Sequence, residues 1–158
     1  MSDENADVPA EEYLCTRIRR AEQALMGHHE AVLRGYGLTM TQYTVLLAAS
    51  REGGMSGAQL ARAAGVTQQT MATVLSGLEG KRLIARSPSP VHGKVMIAVL
   101  TPEGRELLDR AYAEVQVIER AFAGAFTPAE RSALCDLLER ATAVLVAQTR
   151  HPGPRGSG

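Results

Sequence analysis

Apolar and polar positions alternate along this chain with a mostly helical period, and the starts of the helical segments carry side chains able to accept hydrogen bonds from a first turn's unpaired amides. Leu14, Ile18, Ala21, Leu25 and Val32 recur at helical spacing from Ala10 to Arg34, with Arg17, Arg19, Arg20 and Glu22 elsewhere around the segment. The capping-box spacing, Thr or Ser followed three residues later by Gln or Glu, occurs at Thr39 to Gln42, Ser56 to Gln59 and Thr127 to Glu130. Thr101 followed by Pro102 marks a further start, because proline at the first helical position gives up only an amide with no partner. Gly35, Gly53 with Gly54, and Gly65 act as stops. Leu107, Leu108, Ala111, Val115, Ile118 and Phe122 trace one stripe, and Leu134, Leu137, Leu138, Ala141 and Leu145 another. Six helices are expected in all.

One stretch breaks the period. Val95 to Leu100 is short and β-rich, and Leu83 to Arg86 stands ready to pair with it. The intervening Ser87 to Lys94 is turn-forming and cannot continue a helix past Pro88. The expected fold class is therefore mainly α with a small β-hairpin. The terminal residues 1–9 and 150–158 are expected to be disordered.

The segment from Ser56 to Gly80, SGAQLARAAGVTQQTMATVLSGLEG, reads as a short helix, a glycine turn and a second helix. Two helices that meet steeply require a small residue at their contact, a left-handed residue in the turn, and apolar faces. Ala61 supplies the first, Gly65 the second, and Leu60, Ala64, Val66, Met71 and Val74 the third. Thr67 caps the second helix, which leaves Gln68, Gln69, Thr70 and Thr73 on its exposed N-terminal half. Such side chains hydrogen-bond base edges or phosphates, and the hairpin that follows, with His92 and Lys94 near its tip, has the character of a wing reaching a minor groove.

Charge is distributed unevenly along the chain. The whole chain balances 17 basic against 17 acidic residues, which weighs lightly against nucleic acid. Between Met55 and Leu100, however, Arg62, Lys81, Arg82, Arg86 and Lys94 stand against the single acid Glu79, so a basic centre lies between acidic flanks. The 45% hydrophobic content of 158 residues supports one globular core, and no apolar run approaches the ~20 residues that a bilayer requires. Cys15 and Cys135 have no partner at metal-finger spacing, so a cytoplasmic protein without a zinc finger, membrane span or cofactor is expected. No catalytic grouping or phosphate loop is apparent, and an enzyme is not expected.

Taken together, Gly37 to Leu47 (GLTMTQYTVLL), Gln59 to Val66 (QLARAAGV), Leu78 to Arg86 (LEGKRLIAR) and Leu100 to Gly104 (LTPEG) resemble the MarR family of bacterial transcriptional regulators. The resemblance runs from about Leu14 to Leu145. It implies a homodimer built by N- and C-terminal helices, here residues 10–36 and 101–149, around winged helix-turn-helix domains, here 37–100. It also implies a repressor that binds a palindromic operator in double-stranded DNA and is relieved by a small-molecule effector, which in the family is phenolic or lipophilic, an oxidant or a metal. Where the family carries Asp, one other residue and Arg at the wing tip, His92, Gly93 and Lys94 stand here. Arg86 matches a position that meets phosphate, and Arg62, Thr67, Gln68, Gln69, Thr70, Thr73, His92 and Lys94 complete the expected DNA face.

Two sharper readings remain open. Cys15 lies where the hydroperoxide-sensing branch places its reactive cysteine, with Arg17 and Arg19 near enough in sequence to favour thiolate, but Arg19 and His29 stand where that branch has tyrosines. A buried, inert cysteine is the competing reading. His28, His29, Tyr36 and Tyr43 are candidate effector contacts; adjacent histidines on a helix diverge, so a metal site is not expected from His28 and His29. A winged-helix protein-interaction adaptor that has lost specific DNA binding is the alternative function.

Overall fold

The computed structural model describes residues 10–51 and 54–150. The expected disorder of 1–9 and of the tail falls outside these residues, except that Arg150 ends the last helix. The elements are α1 (Ala10–Gly35), α2 (Met40–Ala49), β1 (Met55–Ser56), α3 (Gly57–Ala64), α4 (Gln68–Gly80), β2 (Ile84–Pro88), β3 (Met96–Leu100), α5 (Pro102–Gly124) and α6 (Pro128–Arg150). The fold is mainly helical with a small antiparallel sheet, as the pattern predicts.

All three capping boxes form. Thr39 and Gln42 exchange bonds of 3.1 Å at the start of α2, Ser56 and Gln59 do so at α3, and Thr127 and Glu130 at α6. The capping carboxylate of Glu130 accepts from both the backbone amide and the hydroxyl of Thr127, which holds its pKa below the usual glutamate value. Gly65 closes α3 in the left-handed conformation at φ 66°. Between α1 and α2 the left-handed residue is Gly37, at φ 65°, whereas Gly35 stays inside α1. α1 thus ends at Gly35, the expected stop, and the left-handed turn residue follows two positions on.

The chain divides into two compact units, one ending at Val115 and one beginning at Gln116. In the first, Leu33, Leu38, Val45, Leu46, Leu60, Met71, Leu75, Leu78, Leu83, Ile84, Ala98, Leu108 and Ala111 form one buried cluster. Every element of this unit except β1 supplies a buried side chain to it, and each such Leu or Met contributes on the order of 1.5–3 kcal/mol by leaving water. In the second unit Phe122 and Phe126 meet edge to face at 5.3 Å. Arg131 there donates to the carbonyls of Ala123 and Phe126, both at 2.8 Å, and so satisfies the end of α5.

The sheet has one strand more than the expected hairpin. Its order is β1-β3-β2, with Met55 opposite Ala98 and Ser56 opposite Ile97. Gly54, at φ 120°, leads into β1 where a Cβ would lie 2.6 Å from Val99 Cγ1 and 2.9 Å from the Ala98 carbonyl. β2 also runs past the expected end at Arg86 to Pro88, which pairs with Met96. Proline is tolerated because β2 is an edge strand, whose outer side has no ladder amide to lose.

Candidate nucleic-acid interface

The helix-turn-helix is built by α3, the Gly65 turn and α4. Leu60, Ala61 and Met71 are buried where the helices meet, and Ala64, Val66 and Val74 pack on the same cluster. Burial of Met71, Leu75 and Leu78 fixes which way α4 faces. The opposite face carries Gln68, Gln69, Thr70 and Thr73, all exposed, with Ala72 and Ser76 beside them. Ser76 is missing from the expected DNA face, although its spacing of three from Thr73 places it on the same stripe.

The threonines differ from the glutamines in one respect. Thr67 Oγ1 accepts the Thr70 amide at 3.1 Å and donates to Thr70 Oγ1 at 2.9 Å, and Thr73 donates to the Gln69 carbonyl at 3.4 Å. These hydroxyls first serve the first turns of α4, which leaves Gln68 and Gln69 as the side chains of longest reach.

The hairpin tip is closed by the Ser89 amide donating to the Val95 carbonyl at 2.8 Å and the Val95 amide to that of His92 at 2.7 Å. The Ser89 hydroxyl accepts the amides of Val91 and His92 at 3.3 and 3.2 Å. His92 and Lys94 are exposed on this tip, together with the apolar Val91. Arg62, on α3, faces the hairpin across a groove of 550 Å³ also lined by Gln59, Ser89, His92 and Val95. At the base of the wing the Thr101 hydroxyl donates to the Arg82 carbonyl at 2.7 Å and accepts the Gly104 amide at 3.0 Å, and its amide donates to Leu83 at 3.1 Å. The wing is thereby anchored to the first turn of α5.

Not every cation of the basic centre is directed outward. Arg86 Nε lies 3.2 Å from Glu79, so the one acid of the segment is paired with the residue expected to meet phosphate. Lys81 Nζ donates to the Gly37 carbonyl at 2.6 Å and to Gln42 Oε1 at 3.2 Å. Neither pairing has a sequence signal, because both depend on how distant elements pack.

The candidate effector residues are scattered in environment. His28 is exposed on α1, whereas His29 is 6% exposed and Tyr43 lies in the core. Tyr36 donates to the Glu114 carboxylate on α5, which holds its phenol above the usual tyrosine range. A shallow cavity of 300 Å³ at the turn from α1 to α2 is lined by Glu30, Arg34, Leu38, Thr39 and Met40, and by none of the four. Cys15 is exposed rather than buried, and so is Cys135. Arg17, two residues from Cys15, stacks its guanidinium 4.4 Å from the ring centre of Tyr13 and bonds the Tyr13 hydroxyl. Among the described residues no group of His, Cys, Asp and Glu is placed to hold a metal ion, and no helix is long and apolar enough to cross a membrane.

A helix-turn-helix followed by an anchored two-stranded wing defines a winged helix-turn-helix protein. Residues 36–94 match the MarR family. The HTH-type transcriptional repressor Rv2887 of Mycobacterium tuberculosis is 36% identical over 110 residues, covering 70% of this chain and 79% of that protein. This chain belongs to the MarR family of transcriptional regulators. The crystal structure of Rv2887 with p-aminosalicylic acid is similar, with a TM-score of 0.62 and 32% identity over 85% of this chain and 99% of that one. So is BpsR of Bordetella bronchiseptica, a protein whose DNA binding is regulated by 6-hydroxynicotinic acid, with a TM-score of 0.72 and 27% identity over 87% of this chain and 98% of that one. The protein is accordingly a DNA-binding regulator rather than an enzyme.

Proposed function

We propose that this protein is a homodimeric repressor that lays α4 in the major groove of each half of a palindromic operator, directs its wing toward the minor groove, and is released by a small aromatic acid. The observation that carries the reading is the exposed polar half of α4 from Thr67 to Thr73, held outward by the burial of Met71, Leu75 and Leu78. Gln68 and Gln69 contact bases; glutamine meets an adenine edge with two bonds. Arg62, Arg86, His92 and Lys94 contact backbone through charge, and of these Lys94 lacks the planar guanidinium fork that suits a narrow groove.

The dimer reading rests on apolar side chains that are exposed among the described residues. Leu14 on α1 is 60% exposed, and Leu137 and Val144 on α6 are more than half exposed. The effector reading rests on Rv2887 and BpsR, which are described with p-aminosalicylic and 6-hydroxynicotinic acid. Such a ligand acts only through its difference in affinity for the DNA-competent and DNA-incompetent forms.

The test is to enrich a duplex from a randomised pool with the purified protein and titrate binding against salt. The expected result is a specific complex whose log affinity falls with log salt. In Lys94→Ala the slope is expected to be shallower by about one for each phosphate that is no longer neutralised, doubled in a dimer. An adaptor without specific DNA binding enriches nothing. An unchanged affinity and slope in Lys94→Ala removes the wing from the interface.

A further inference from the structure

Lys81 looks from its charge like one more phosphate contact, but its ammonium, although exposed, is bonded to acceptors of the protein itself. It is the residue that caps α4, its own amide donating to the Gly77 carbonyl at 3.1 Å. Its side chain reaches back across the fold to two acceptors on a different part of the chain. The first is the Gly37 carbonyl, 2.6 Å away, in the turn between α1 and α2. The second is Gln42 Oε1, 3.2 Å away, the same oxygen that accepts the Thr39 amide and completes the α2 capping box.

One cation thus joins the end of α4 to both the α1–α2 turn and the α2 cap. Each of the three is held by hydrogen bonds of its own. The turn is closed by the Gly37 amide donating to Arg34 and the Leu38 amide to Leu33, at 3.1 and 3.0 Å. A cation at the C-terminus of α4 also complements the partial negative charge of its last carbonyls. Contact at the same end is close, since a Cβ on Gly77 would sit 3.7 Å from Gln42 Nε2. Charge-assisted bonds of this kind are the strong and directional ones.

We infer that Lys81 is a positioning residue for DNA recognition: it sets the orientation of α4 against the α1–α2 turn and so determines operator affinity without touching DNA. The inference rests on α4 being the recognition helix. A phosphate contact and a positioning bond have different signatures. Loss of a phosphate contact weakens every duplex alike and flattens the salt dependence. Loss of the positioning bond tilts the base-reading side chains away from their partners, so selected DNA suffers and scrambled DNA does not.

The experiment compares wild type, Lys81→Met, Lys81→Arg and Gln69→Ala on the duplex enriched by wild type and on a scrambled duplex of the same length, across salt, with thermal melts confirming that each variant folds. Lys81→Met keeps the aliphatic stem and removes the donors. It is expected to lose about ten-fold in affinity for the selected duplex, within the range for residues that couple without ligand contact, while scrambled-DNA affinity and both salt slopes stay as in wild type. Lys81→Arg keeps the charge but brings a planar fork to a site shaped for one ammonium, and is expected to lose part of the same selectivity. Lys81→Met behaving as wild type overturns the inference, as does a uniform loss with a shallower slope, and as does a fully active Lys81→Arg beside a uniformly weakened Lys81→Met. If Lys81→Met does not fold, Lys81→Arg decides alone: full activity overturns the inference and selective loss supports it. Unchanged binding in Gln69→Ala contradicts α4 as the reading helix, a separate failure that the Lys81 variants do not imitate.

Discussion

At the scale of single residues, two backbone positions near the base of the wing act in opposite directions on stability. Gly104, in the first turn of α5, passes so close to Leu83 that a Cβ would overlap its carbonyl group. Backbone cannot step aside as a side-chain tip can, so Gly104→Ala is expected to destabilise by at least the ~1–3 kcal/mol typical of overpacking. Arg82, by contrast, holds φ at 60°, a conformation that costs an L residue roughly 1–2 kcal/mol. Arg82→Gly is expected to stabilise by about 1 kcal/mol, part of the relief being offset by the greater freedom of glycine in the unfolded chain. Urea denaturation of the two variants checks both signs at once; two shifts in the same direction contradict the packing described at this corner.

How much of these residues was readable differs by the range of the interaction. The capping roles of Thr39, Ser56, Thr67 and Thr127 were legible because a cap is local, a side chain reaching an amide three residues on. The Glu79 to Arg86 pair and the bonds from Lys81 to Gly37 and Gln42 were not, since they exist only after α4 has packed. As a result the count of cations between Met55 and Leu100 overstated how many face outward.

At the scale of elements, the helices were legible from period and caps, and the hairpin from its β-rich run. β1 was not: two residues have no period, and Met55 and Ser56 become a strand only by pairing with β3. The extension of β2 through Pro88 was hidden for a related reason, because proline reads as a breaker unless the strand is known to lie at an edge. A pH dependence belongs to this scale. The Glu130 carboxylate is held below its usual pKa by Thr127, so its contribution is fully present above the unfolded value of about 4.3 and is lost as pH falls through the lower, folded value. The first turn of α6 is therefore expected to loosen in acid, and Glu130→Gln, which has no carboxylate to protonate, to flatten that dependence. Amide exchange of the Thr127 to Arg131 segment against pH tests this, and an identical acid profile in both proteins contradicts it.

At the scale of the whole molecule, the apolar stripes of α1, α5 and α6 were legible as excess surface. Among the described residues Leu108, Ala111 and Val115 are buried, whereas Leu14, Phe122 and Leu137 are exposed. A second copy is the expected cover, and sedimentation at micromolar concentration is expected to give a dimer; a monomer contradicts the assembly proposed. The operator is then expected to repeat with half-sites about one helical turn apart, ~34 Å, so that one recognition helix serves each half.

Base reading by α4 is tested by comparing the sequence preference of Gln69→Ala with that of wild type on single-substitution variants of the enriched duplex. Deleting the amide is expected to cost about 1–3 kcal/mol on the preferred duplex, to abolish discrimination at one symmetric pair of base pairs, and to leave scrambled DNA unaffected. A loss spread evenly over all sequences, or no loss in Gln69→Ala, contradicts base reading by this helix.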